Sequence, residues 1–299
     1  MSDSRSTVSI ELGGTHVSAG RIDVAAGEVR AFLRAFLAPT ADRNELVARI
    51  TRTAADVAEG PVERIGVAVP GPFDYANGVC LLTHKLEPLH GVDLRRELAN
   101  ALRTPPESIS FVNDADAFLL GEAWVGAARG YRRAAAVTLG TGLGSAFLED
   151  GKIVDTGSRV PVEGSLHLVR YRGRPAEETV SRAALLVGYG DPRLDVRDIA
   201  IRARNGDARA RQVFQQLASA LGEIVAPWLD SFRATCLVVG GSISQAWDLL
   251  EVALRTALVE VDGLEKVAPA ARVEDAALLG AARHATTAGR GTRSVGACR

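Results

Sequence analysis

The chain has 299 residues, with 35 Lys and Arg against 36 Asp and Glu and a net charge of −1. That length leaves room for two domains of ordinary size, and the charge balance gives no basic footprint for nucleic acid. Hydrophobic residues make up 47% and aromatics 5%, which suits a large folded core and offers no stacking platform for bases. Cys80, Cys236 and Cys298 are odd in number, far apart and without a CxxC pair. This argues against a disulfide framework or a Cys-rich zinc site and fits a reducing cytosol. Residues 1–7 are polar and too short for a signal peptide, and no uncharged apolar run reaches ~18 residues. A cytoplasmic protein with no membrane partner is expected.

In chain order, Val8 to Ile22 reads as a β-hairpin with Gly13-Gly14-Thr15 at its tip, and Val29 to Leu37 as a further strand. Asp42 to Glu59 is predicted helical, because Leu46, Val47, Ile50, Ala54 and Val57 follow the 3.6-residue period and Asp42 or Asn44 can cap it. Ile65 to Val69 is a short strand ended by Pro70-Gly71-Pro72, and Asp93 to Arg103 a short helix. Ser110 to Val112 is a strand running into Asn113-Asp114-Ala115-Asp116, with a helix over 115–128. A second hairpin follows: Ala134 to Val137 leads into Thr138 to Gly144, with a tip at Gly140-Thr141-Gly142, then Ala146 to Leu148 and a turn at Glu149-Asp150-Gly151. Weak periodicity over 152–178 points to loops and a site wall. Asp207 to Phe232 is a long helix, Cys236 to Val239 a strand, Gly240-Gly241-Ser242 the start of a helix reaching about Val259, and Asp275 to Ala285 a last helix.

Strands and helices alternate in two similar halves, so the class is α/β. The expected division is an N-terminal α/β domain over residues 1–120 and a C-terminal one over 121–285. The helix at about 275–285 can pack back on the first domain, and 286–299 form a mobile tail.

The chemistry is sought at glycines, hydroxyls and carboxylates. Gly13, Gly14, Thr15, Gly140, Thr141 and Gly142 let backbone N–H groups approach an anion while threonine hydroxyls donate beside them. Plain hairpin turn chemistry is the competing account of each tip alone. Two matched tips, more than a hundred residues apart, suggest a duplicated core holding phosphate between them. Gly240 and Gly241 form a further anion or nucleotide-edge candidate, or a packing device. Asp114 lies where a strand ends and a helix begins, the usual place for a ligand in an open α/β sheet. There it could take a proton from a sugar hydroxyl, or Asn113 or Asp114 could simply cap the helix. His167 sits between apolar neighbours as structural histidines do, Glu177-Glu178 reads equally as a solvated helix start, and Arg170, Arg172 and Arg174 as a surface face.

Taken in order, several of these motifs resemble the ROK family of bacterial sugar kinases and related repressors, within the hexokinase–actin superfamily. They are Glu11-Leu12-Gly13-Gly14-Thr15, Val69-Pro70-Gly71-Pro72, Asn113-Asp114-Ala115-Asp116-Ala117, Thr138 to Gly144, Val239-Gly240-Gly241 and Leu279-Gly280-Ala281-Ala282. The resemblance runs from about residue 8 to 285. It implies a two-domain actin-like ATPase (ribonuclease H-like) fold with a central cleft that closes on substrates, and a homodimer. It makes Asp114 the general base on a sugar hydroxyl, usually O6, with Asn113 bonding a neighbouring hydroxyl. By the same resemblance the two tips hold ATP phosphates with Mg²⁺, Gly240 and Gly241 line the adenosine pocket, and His167 and Glu177 are sugar ligands. Glu177 has the family's spacing of four residues before Ser181.

The departures are specific. Val169 to Ala176 contain no cysteine, so the family's structural zinc is not expected. Glu11 replaces the Asp that usually opens the first phosphate loop; it keeps the charge, with altered reach toward Mg²⁺. Thr83-His84-Lys85-Leu86 stands where an Asn often touches the sugar, which makes Lys85 a candidate contact, and Glu163-Gly164 is out of step with the usual Glu. The expectation is an ATP-dependent kinase for a hexose or N-acetylhexosamine. A catalytically silent sugar-binding relative is the alternative that Glu11 motivates. A sugar-responsive repressor fits less well, because the first hairpin starts at residue 8 and leaves no room for a helix-turn-helix. A nucleotide hydrolase or acyl-phosphate kinase of the same superfamily completes the field.

Overall fold

A computed structural model describes residues 6–83, 86–191 and 193–288. Their contacts divide the chain into two compact units, one reaching Val125 and resuming at Glu274, the other running from Gly126 to Val273. The division spares the helix that follows Asn113, which ends at Val125.

The first unit opens with β1 (Ser6–Leu12), β2 (His16–Asp23) and β3 (Glu28–Phe36). Helix α1 (Arg43–Val57) follows, then β4 (Val62–Val69), the small strands β5 (Phe73–Asp74) and β6 (Val79–Cys80), α2 (Leu94–Leu102), β7 (Ile109–Asn113) and α3 (Asp114–Val125). Of the two candidate caps for α1 it is Asp42 that serves. Its carboxylate accepts from Glu45 N at 2.9 Å while the Glu45 carboxylate accepts from Asp42 N at 3.1 Å, a reciprocal capping box. The sheet order is β3-β2-β1-β4-β7, antiparallel from β3 to β1 and parallel from β1 to β7. Val8, Ile10 and Leu12 are buried on the face under α1, in one cluster with Leu46, Ile50 and Val57.

The second unit repeats the plan. It contains β8 (Arg133–Leu139), β9 (Leu143–Glu149), β10 (Lys152–Ile153), the two-stranded β11 (Arg170–Tyr171) and β12 (Arg174–Pro175), helices α4 (Arg182–Tyr189), α5 (Val196–Arg204) and α6 (Ala208–Phe232), β13 (Cys236–Gly240), α7 (Trp247–Ala257) and β14 (Lys266–Pro269). Its order is β10-β9-β8-β13-β14, antiparallel, antiparallel, parallel and parallel, step for step as in the first unit. The duplicated core suggested by the paired hairpins is therefore a duplicated five-stranded sheet. Helix α6 is the principal cover, burying Val213, Phe214, Leu217, Leu221, Ile224 and Val225.

Helix α8 (Ala276–Ala288) returns to the first unit and packs on α3, β4 and β1. The approach is at backbone distance: a Cβ on Gly280 would collide with Ala117 O, one on Gly121 with Ala276 O, and one on Gly66 with Ala281 O. The Leu279-Gly280-Ala281-Ala282 motif is thus a contact surface that fixes α3, the helix whose first residue is Asp114.

Several elements differ from the sequence expectation. Helices α4 and α5 and strand β14 were not among the predicted elements, and residues 242–246 form a 3₁₀ turn before α7, which stops at Ala257. Residues 286–288 continue α8 and are not tail; the rest of the expected tail lies outside the described residues. Among the described residues no helix is long and apolar enough to cross a membrane.

Candidate active site

In the first unit, β1 and β2 stay paired out to Leu12 and Val17. The reversal between them is closed by Gly13 N donating to His16 O at 2.8 Å, and a second anchor comes from Leu37 N donating to Thr15 O at 2.8 Å. The Thr15 hydroxyl lies 2.9 Å from His16 Nδ1, and His16 packs edge-on against Phe36. Gly14 and Thr15 are exposed, which leaves the tip open to a ligand.

Two carboxylates of this unit, Glu11 and Asp114, meet near this tip. Glu11 pairs with Ser18 on one side and Ala68 on the other, and Ser18 in turn pairs with Arg34. Arg34 Nε donates to Ser18 Oγ at 3.1 Å, so Glu11, Ser18 and Arg34 form one row across three strands. Burial and then the charge of Asp114 push the Glu11 carboxyl from the usual 4.5 up to about 7, while the Arg34 guanidinium draws it down. Glu11 and Asp114, far apart in sequence, are therefore electrostatic neighbours.

Between Asn113 and Asp114 the structure resolves which residue caps the helix. Asn113 Oδ1 accepts from Ala115 N at 2.9 Å and Asp116 N at 3.4 Å, the cap's usual work. Its Nδ2 donates to Tyr75 Oη at 3.2 Å. Asp114 Oδ1 accepts from Ala115 N at 2.9 Å; the carboxylate stands in the first turn of α3, where the helix dipole favours negative charge.

In the second unit β8 and β9 pair out to Leu139 and Leu143, and Gly140 N donates to Gly142 O at 3.1 Å across the tip. Glu177 lies on a 3₁₀ turn (Ala176–Glu178) and its Oε2 accepts from Leu143 N at 2.8 Å. A Cβ on Gly142 would collide with that same carboxylate. Glu177 is thus a strut for the tip. Arg182 N, opening α4, donates to Gly140 O at 2.8 Å. Gly241, at φ 83°, lets the turn after β13 pass so close that a Cβ would lie 2.6 Å from Leu139 N. The packing account of Gly241 is then a real one, and it also places Ser242 Oγ 3.8 Å from where a Cβ on Gly140 would be. Gly140, Thr141, Gly142, Glu177, Gly240 and Gly241 so converge within this unit, as Glu11, Gly13, Gly14, Thr15, Asn113 and Asp114 do within the other.

His167 lies on an exposed 3₁₀ turn (Leu166–Leu168). That turn is tied to β9 by Ser145, whose hydroxyl donates to Gly164 O at 2.6 Å and accepts from Leu166 N at 2.8 Å. Arg170, Arg172 and Arg174 are exposed on the β11–β12 ribbon, where Arg172 pairs with Glu223 at 3.1 Å. Lys85 lies outside the described residues. Three residues the sequence reading passed over are Tyr75, Ser145 and Arg34. The last alone left a trace, in strand register; a serine in a strand and a tyrosine after a Pro-Gly-Pro turn carry no signal of their own.

A carboxylate pair can hold Mg²⁺, which takes one or two carboxylates and completes its shell with phosphate oxygens and water. Glu11 offers one such carboxylate next to the Gly13-Gly14-Thr15 tip, so the donor set fits. Among the described residues no group of three or more His, Cys, Asp or Glu side chains is placed to hold a metal.

The profile of the ROK family matches residues 7–288. A glucokinase of Thermotoga maritima is 28% identical over 92% of this chain and 95% of its own, and an N-acetyl-D-glucosamine kinase of Pectobacterium carotovorum is 24% identical over 91% and 96%. The crystal structure of a ROK family glucokinase from Streptomyces griseus in complex with glucose and AMPPNP superposes with a TM-score of 0.77 at 23% identity, covering 94% of this chain and 99% of that one.

Proposed function

The chain belongs to the ROK family, and from that premise we propose that it is a sugar kinase moving the γ-phosphate of ATP to O6 of a hexose or N-acetylhexosamine. The relatives are kinases for glucose and for N-acetyl-D-glucosamine, which supports the substrate class. The observation that carries the reading is Asp114 at the start of α3, beside Glu11, the residue two before the Gly13-Gly14-Thr15 tip on which Gly14 and Thr15 are exposed.

In the mechanism, Asp114 accepts the proton of the sugar hydroxyl as its oxygen forms the new bond to the γ-phosphorus and the bond to the β,γ-bridging oxygen breaks, releasing ADP. Asn113 steadies a neighbouring hydroxyl. Backbone amides of the Gly13-Gly14-Thr15 tip stabilise charge on the transferring group, and those of Gly140-Thr141-Gly142 are donors of the same kind in the second unit. Mg²⁺, held by Glu11 with phosphate oxygens, would supply charge neutralisation at the phosphates. In the second unit His167 and Glu177 are candidate sugar contacts, and Gly240 with Gly241 border the adenosine.

The test is ADP release from Mg·ATP across glucose, mannose, fructose, allose, N-acetylglucosamine and N-acetylmannosamine, with Asp114→Asn as control. Sugar-dependent ADP is expected, falling at least ~10²-fold in the control. Turnover of the variant within threefold of wild type would remove Asp114 from its role. Glu11 in the Asp position favours one second reading, a silent sugar-binding relative. It is recognised by thermal stabilisation with a sugar and no ADP.

A further inference from the structure

Asn113 is claimed twice: as the cap of α3 and, in the proposed mechanism, as a sugar contact. Both lone pairs of its amide oxygen are taken up by Ala115 N at 2.9 Å and Asp116 N at 3.4 Å. Only the Nδ2 end is left for other work. One of its N–H groups donates to Tyr75 Oη at 3.2 Å, and the Tyr75 hydroxyl in turn donates to Val69 O at 3.1 Å. Val69 is the β4 residue paired with Asn113 in β7, so the chain Asn113–Tyr75–Val69 closes a loop across two neighbouring strands.

Tyr75 is itself anchored. Its ring packs at 5.3 Å from Phe73, which stacks on Phe111 at 5.0 Å. The turn after it is closed by Asp74, which accepts from Asn77 N at 3.0 Å and Asn77 Nδ2 at 2.8 Å. Arg95 of α2 then staples this turn to the base of β7, donating to Ala76 O at 3.0 Å, Asn77 O at 3.3 Å, Pro106 O at 3.2 Å and also to Ile109 O. The same guanidinium lies 5.2 Å from the Phe111 ring.

We propose that Tyr75 is a positioning residue for the sugar site, fixing the Asn113 amide so that it presents a single N–H, and only a donor, to the substrate. The inference rests on the kinase reading and deepens it. A sugar hydroxyl meeting Asn113 is bonded through its oxygen, which leaves its own proton free for a carboxylate. The cap of α3 thus makes Asn113 a donor toward the hydroxyl beside the one that is phosphorylated, and Tyr75, which touches no reacting atom, holds one N–H so that the other has a fixed direction.

The test is a double-mutant cycle between Tyr75→Phe and Asn113→Ser, the serine retaining a cap for α3. Sugar KM and kcat are measured with Mg·ATP, sugar affinity by calorimetry without nucleotide, and folding by thermal midpoint. Tyr75→Phe is expected to raise KM and weaken affinity about tenfold, or ~1.4 kcal/mol, with kcat within threefold. In the Asn113→Ser background it should change affinity less than twofold. An unchanged KM in Tyr75→Phe, or two effects that multiply, overturns the proposal. Wild type that binds a sugar without releasing ADP defeats the kinase reading, and the calorimetric cycle still decides Tyr75. Should Tyr75→Phe not fold, a deoxy and deoxyfluoro sugar series on the wild-type protein decides. One position must lose at least tenfold on deoxygenation and markedly less with fluorine, which still accepts. Equal losses at every position overturn it.

Discussion

The hairpin tips at Gly13-Gly14-Thr15 and Gly140-Thr141-Gly142 occupy the same place in two sheets of identical order, yet they are held differently. The first is closed by its own turn and tied once more by Leu37. The second is gripped by Glu177, by the start of α4 and by the turn at Gly241. Behind the first tip stand carboxylates, Glu11 and Asp114; against the second stand a carboxylate used as a strut and a glycine used as a spacer. Duplication supplied the backbone plan, and the segments packed around it assigned the work. One tip is open and electrostatically charged, the other braced.

The contrast is sharpest at glycine. Gly241→Ala places a side chain at φ 83° and into the backbone of Leu139, and we expect more than ~3 kcal/mol of destabilisation in urea unfolding, from backbone strain and steric clash together. Stability close to wild type would show that the second tip is not gripped there.

Glu11 gives the next largest effect. With its pKa raised from 4.5 to about 7 in the folded protein, it binds a proton more tightly folded than unfolded. Its contribution is fully present below about pH 4.5 and is lost as pH rises through 7, roughly 3 kcal/mol for that shift. The metal-free protein should lose stability over this window, and Glu11→Gln should flatten the slope. Identical pH profiles for the two proteins would show that neither burial nor the charge of Asp114 raises the Glu11 carboxyl.

Removing the strut should matter less. Glu177→Ala strips a charged acceptor from Leu143 N, a loss of about 1–3 kcal/mol, and ATP affinity should fall with it, read by calorimetry. If stability falls and ATP affinity does not, the strut serves the fold alone. The smallest effect belongs to Gly13→Ala, whose Cβ would meet only His16 O at 3.2 Å. Less than ~1 kcal/mol is expected, and a loss matching that at Gly241 would erase the contrast between the tips.

Much of this was legible because glycine and threonine punctuate apolar runs. Both hairpins, the long α6 and the strand leading into Asn113 follow from such boundaries. Helix α4 escaped because eight residues with two buried positions carry little periodicity; α5 did carry a signal, Val196, Ile199, Ala200 and Ala203 at i, i+3, i+4 and i+7 behind the Asp195 cap, which the reading passed over. Strand β14 has a single fully buried residue, Val267, and exists by pairing with β13. At the site, Asp114 and Asn113 were visible as a strand-to-helix junction, but the division of labour between them rests on Tyr75, 38 residues away by chain and adjacent only by fold. Glu177 was visible only through the family resemblance; its bond to Leu143 was not, since a backbone amide leaves no mark on composition.

Helix α8 follows the whole second unit in the chain and belongs to the first. The second unit is one uninterrupted stretch and can complete its sheet as soon as β14 emerges from the ribosome. The first cannot: its α3 stays uncovered until residues 276–288 arrive, with Gly121 and Gly280 waiting to seat the two helices against each other. Closing so long a loop carries only a logarithmic entropy penalty, so the cost lies in timing. During synthesis the half that carries Asp114 is the last to be finished, and a chain cut short before α8 leaves a completed second unit joined to a first without its final helix.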